Sequence, residues 1–96
     1  MKKKITPLEV LKEAELILSQ RGEELGDYEE LYRNLAVRIN LMLGDQLKEP
    51  AKAWQAAKII GEMKYARMDV GGYKRDHVID GGNYGFIVGA LKENDS

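Results

Sequence analysis

Apolar residues recur along this chain at helical intervals, and each run is framed by residues that start or stop helices. Leu8, Leu11, Ala14, Ile17 and Leu18 form the first stripe. Thr6-Pro7-Leu8-Glu9 precedes it with the form of a capping box, with Pro7 at the first helical position, and Gly22 predicts an end near Gln20 or Arg21. Asp27-Tyr28-Glu29-Glu30 repeats the start signal. A second helix then runs to Leu43, stopped by Gly44, with Tyr28, Leu31, Tyr32, Leu35, Ile39 and Met42 on its core face.

After a short connection, Pro50 suits a third helix start, and Ala51 through Met68 are good helix formers. Gln55, Lys58 and Glu62 mark its wet side. Ala53, Ala56, Ala57, Ile60 and Met63 mark the dry one, in the same sector as Lys64 and Arg67. Long basic side chains in such a sector either snorkel outward or serve as buried partners of an acid or phosphate. Asp69 to Lys74 reads as a loop, and a fourth helix spans Asp76 to about Leu91. Gly81, Gly82, Gly85 and Gly89 weaken that helix by roughly 1 kcal/mol each, so a Gly-rich loop over residues 80–85 competes with it. Helix is preferred, because Gly81, Gly85 and Gly89 recur every four residues and would let a neighbouring helix approach. The pattern predicts an all-α fold, a four-helix antiparallel bundle, with one domain over residues 1–96 and tails at 1–5 and 92–96.

Ninety-six residues lie near the small end of what buries a self-sufficient core, which makes a homo-oligomer plausible. Apolar residues at 44% and charged residues at 32% are ordinary for a globular protein. Fifteen basic against sixteen acidic side chains give a net charge of −1, which disfavours nucleic-acid binding. The absence of cysteine and the single His77 exclude a thiolate zinc site or a histidine cluster within one chain. A metal would be held by oxygen, favouring Mg²⁺ or Mn²⁺. Lys2, Lys3 and Lys4 open the chain like a signal peptide, but Glu9, Lys12, Glu13 and Glu15 leave no apolar run behind them. No stretch approaches a membrane span, and a cytoplasmic protein is expected.

Chemistry concentrates in Asp76 to Tyr84. Asp76, Asp80, Asn83, Tyr84, Ile87 and Leu91 fall on one helical stripe, so an acidic pair runs into packed positions. Half-buried carboxylates need cations. A hairpin of the third and fourth helices would bring Lys64 and Arg67 beside Asp76 and Asp80. Either the cations neutralise the aspartates in a structural network, or the aspartates hold Mg²⁺ while the cations, with Glu29, receive a phosphorylated ligand. On the second helix Glu29 lies about 90° from the middle of the core face and Glu30 nearly opposite it; both also suit a first turn through the helix dipole.

These residues resemble the small all-helical phage and prophage proteins distantly related to the MazG nucleotide pyrophosphohydrolases. The likeness runs from Arg21 to about Leu91. It is carried by Arg21-Gly22, Gly26-Asp27, Glu29-Glu30, Leu35-Ala36, Leu43-Gly44, Lys64, Ala66-Arg67-Met68, Asp76, Ile79-Asp80 and Tyr84. The resemblance implies a dimer or tetramer, a Mg²⁺ site, and hydrolysis of nucleoside triphosphates to monophosphate and pyrophosphate. Mapped onto this chain, it implies Asp76, Asp80, Glu29 and Glu30 as metal ligands and Glu29 and Asp80 as catalytic acids. Lys64, Arg67 and Tyr84 would lie on the nucleotide. The second acidic pair is spaced four apart rather than three, and Lys64 and Arg67 stand where the family pattern leads one to seek further acids. The alternative is a non-catalytic interaction or nucleotide-binding protein with an ion-pair network.

Overall fold

A computed structural model describes residues 4–25 and 27–94; Met1, Lys2, Lys3, Gly26 and the last two residues lie outside the described residues. It contains four α-helices and, among the described residues, no strand: α1 (Pro7–Leu25), α2 (Tyr28–Leu43), α3 (Ala53–Gly71) and α4 (Arg75–Asn94), with one 3-10 turn at Gly44–Gln46. None of these helices is long and apolar enough to cross a membrane.

Two of the starts follow their caps. The Glu9 amide donates to Thr6 Oγ1 at 3.2 Å, and Asp27 Oδ1 accepts from the amides of Glu29 at 2.9 Å and Glu30 at 3.4 Å. The predicted end at Gly22 is not where α1 stops. An isolated glycine costs a helix only about 1 kcal/mol, and no competing cap occurs before Asp27. In α3 the start moves from Ala51 to Ala53, because Asn40 holds Ala51 outside the helix: its Nδ2 donates to the Ala51 carbonyl at 3.0 Å and its Oδ1 accepts from the Ala51 amide at 2.7 Å. The Lys52 amide, donating to Gln55 Oε1 at 2.9 Å, then opens the helix. Asp69, Val70 and Gly71 belong to α3 rather than to a loop, and Gly72, at φ 88°, closes it by donating to the Met68 carbonyl at 2.9 Å. The fourth helix is continuous through all its glycines and includes Lys92, Glu93 and Asn94, which the pattern assigns to a tail.

The α3–α4 hairpin is the centre of the fold. Trp54 with Lys92, Gly61 with Tyr84, Lys64 with Asp80 and Tyr65 with Gly81 pair off in antiparallel order along it. α2 packs on α3, and α1 packs on α4. Tyr32, Ala53, Ala57 and Leu91 form the core, with Leu35, Ile60, Ile87 and Val88 packed around it. α4 packs tightly on Gly61, where an added Cβ would lie 2.9 Å from Tyr84 Cβ. Of the glycines at four-residue spacing only Gly81 is covered, by the Tyr65 ring; Gly85 and Gly89 are exposed with nothing within 4 Å of an added Cβ.

Several positions assigned to the core lie outside it. Leu8, Leu11, Leu31, Met42 and Met63 are all exposed. The helices make an elongated body of 57 × 30 × 23 Å, and a single layer of partners leaves each of them an open side.

Candidate functional site

Asp80 stands on the buried flank of α4, with its side chain only 12% exposed, and both carboxylate oxygens face cations. Lys64 Nζ from α3 lies 3.4 Å from Oδ2, and Arg21 Nη2 from α1 lies 3.6 Å from Oδ1. Three helices thus meet at one carboxylate. The Lys64–Asp80 pair follows from the hairpin. Arg21 reaches the cluster because α1 continues past it, which keeps it on the stripe of Ala14 and Leu18.

Asp76, one turn before Asp80, is exposed. It shares with Asp80, Arg21, Gln20 and Ile17 a polar cleft of about 330 Å³. Arg67 does not join. Three residues turn a helix by about 300°, which sets Arg67 roughly 60° from Lys64 and outside the α3–α4 groove, where it is exposed.

On the other side of Arg21 and Asp80 opens a cavity of about 310 Å³ lined mainly by Leu18, Tyr28, Tyr32, Tyr84, Phe86 and Ile87. Tyr32 and Tyr84 meet edge to face, 6.3 Å apart at 83°. Burial raises the Tyr32 hydroxyl well above the ordinary tyrosine range, hydrogen bonding with Tyr84 adds to this, and the charge of Arg21 opposes it. Asn83 also lines the cavity. It is 6% exposed, its Nδ2 donates to the Ala14 carbonyl at 3.0 Å, and its buried Oδ1 accepts no hydrogen bond. That bond to α1 fixes the amide and anchors the helix that carries Arg21.

Glu29 and Glu30 are elsewhere. Glu29 accepts from Asn94 Nδ2 at 2.9 Å and pairs with Arg33 at 3.2 Å, which puts it at the far end of α4. Fourteen residues of helix, about 21 Å, separate Asn94 from Asp80. Glu30 is exposed beside Arg33 and Asn34 in a shallow cleft. Both acids serve the first turn of α2, which starts where α4 ends. Among the described residues no three acidic or histidine side chains are grouped to hold a metal ion. The four-carboxylate set is therefore not assembled within one chain. Asp76 and Asp80 remain as a pair, and Mg²⁺ commonly binds through one or two carboxylates plus substrate phosphates.

Arg21 escapes the pattern because the predicted helix ends beside it, Leu18 because it reads as a core-stripe residue of α1, and Phe86 because it lies off the Asp76–Leu91 stripe. The stripe Ala14, Leu18, Arg21 was the available signal. No curated protein and no solved structure matches the chain. A family model described as a domain of unknown function matches residues 9–92, and the chain accordingly belongs to the DUF6378 family.

Proposed function

We propose that this protein is a MazG-like nucleotide-binding protein of phage type, with the ligand's base in the aromatic cavity and its phosphates at Arg21 and Lys64. The observation that carries the reading is that Arg21 and Asp80 line both the apolar cavity and the polar cleft, so one ligand can span the two. Apolar walls with a few convergent polar groups suit a small heterocyclic ligand. Tyr84 and Tyr32 offer ring faces and edges, and the cations offer donors for phosphate oxygens. As phosphate arrives, Lys64 and Arg21 exchange Asp80 for the ligand and release its carboxylate toward Asp76.

The hydrolytic form of the reading is a Mg²⁺-dependent nucleoside triphosphate pyrophosphohydrolase, supported by Asp76 and Asp80 lining one cleft beside Arg21. Mg²⁺, when bound, supplies charge neutralisation on the triphosphate. Asp76 and Asp80 would hold it, and Lys64 and Arg21 would orient the phosphates. The structural alternative, an ion-pair network without turnover, is favoured by the engagement of both Asp80 oxygens.

Isothermal titration with canonical and modified nucleoside triphosphates, with and without Mg²⁺, tests binding. Pyrophosphate release beside an Asp80→Asn control tests turnover. Binding that Lys64→Met weakens at least tenfold is the expected result. No binding by any nucleotide sinks the proposal, and binding without release leaves the non-catalytic form.

A further inference from the structure

Ile59, Met63, Ala66 and Val70 step along α3 at intervals of four, three and four, which aligns them in one row. None is covered: Ile59 is 54%, Met63 51% and Val70 92% exposed, and Ala66 is exposed too. Ala53, Ala57 and Ile60 already take the other side of α3 to the core, so this helix carries a second apolar face.

Alternating three and four is the spacing with which two helices interleave side chains along a narrow seam. The charges at the edges of the row decide what fits it. With Met63 and Val70 at one seam position and Ile59 and Ala66 at the other, Glu62, whose Oε1 also takes Lys58 Nζ of its own helix at 3.2 Å, flanks one edge and Arg67 the opposite edge. Across a parallel two-fold seam, Glu62 of each helix faces Arg67 of the other copy. An antiparallel seam would set Glu62 against Asp69, like against like.

The surface area points the same way. The chain exposes 7513 Å², against roughly 5,600 Å² for a compact monomer of 10.9 kDa. The excess of about 1,900 Å² is more than the ~800 Å² that each partner contributes to a standard interface. Because α3 is held helical by its own domain, a seam of only a few turns does not have to nucleate a helix.

We propose that α3 pairs in parallel with α3 of a second copy of this chain, through the Ile59–Val70 row and two Glu62–Arg67 ion pairs. Lys64 leaves α3 on another side, so the pairing is independent of nucleotide binding. Analytical ultracentrifugation of the full chain should give a dimer. Met63→Glu, which sets two carboxylates across the seam, should raise its dissociation constant about a hundredfold or more, with helix content by circular dichroism unchanged. Since the chain lacks cysteine, Val70→Cys alone should oxidise to a disulfide-linked dimer. In an antiparallel seam Val70 would oppose Ile59, and only a mixture of Val70→Cys and Ile59→Cys proteins would cross-link. A monomer, a dimer indifferent to Met63→Glu, or cross-linking confined to the mixture overturns the proposal.

Discussion

Gly61→Ala and Gly85→Ala make the same chemical change in neighbouring helices and should move stability in opposite directions. At Gly61 the new methyl would lie 2.9 Å from Tyr84 Cβ and 3.6 Å from its Cγ. Ordinary carbon contacts lie near 3.5–4.0 Å. A Cβ cannot swing away as a side-chain tip can, so α3 and α4 must part at this contact. Overpacking of this kind costs about 1–3 kcal/mol, and the helix propensity of alanine returns at most ~1 kcal/mol. The net loss is up to about 3 kcal/mol, and each kcal/mol lowers the melting temperature of a domain of this size by roughly 4–8 °C. At Gly85 nothing lies within 4 Å, so the propensity term acts alone and stabilises by about 0.5–1 kcal/mol. Gly89→Ala is a replicate of the open case. At Gly81 the atom met is the ring tip of Tyr65, which is 41% exposed and free to move, so the cost is smaller than at Gly61. Thermal melts of the four variants, followed by circular dichroism, give the comparison. If Gly61→Ala is neutral or stabilising alongside Gly85→Ala, the helices are not in the register described.

Three further outcomes follow from single features. Asn40→Ala removes both hydrogen bonds that hold Ala51 and should cost about 1–3 kcal/mol in urea unfolding. Asp80→Ala strands Lys64, whose side chain is 20% exposed, whereas Arg21 at 47% can turn to water. A loss of about 1–3 kcal/mol is expected, and no loss would argue against a structural network. Tyr32 has its pKa raised by burial, so the stability it contributes is intact below the ordinary tyrosine value near 10 and is lost as pH rises above it. Ultraviolet titration should show one of the five tyrosines ionising only as the chain unfolds in alkali, and Tyr32→Phe should remove that step.

What the sequence disclosed was local. Thr6 and Asp27 announce α1 and α2 because a cap acts on amides two or three residues away. Lys64 and Asp80 could be paired because a short turn fixes the hairpin. Arg21 and Asp80, or Asn83 and Ala14, meet only because α1 lies across α4, which no local signal encodes. The family resemblance implies Glu29 as a ligand, yet the antiparallel course of the chain carries it to Asn94. Met63 shows the limit of periodicity on an alanine-rich helix with two apolar sides: the pattern marks the residue as core, and the structure leaves it 51% exposed on the second side.

The account rests on Arg21, Lys64 and Asp80 forming one ligand site with the aromatic cavity. The most direct test is a ¹⁵N-resolved NMR titration of the protein with a nucleoside triphosphate, read at the Asn83 side-chain amide and the Gly22 and Asp80 backbone amides. The Gly44, Asp45 and Gln46 amides, in the turn after α2, serve as distant references. Saturable shifts at the first group, with the references still, are predicted. Shifts centred on Gly44 and the C-terminal end of α2, or none anywhere, would contradict the account.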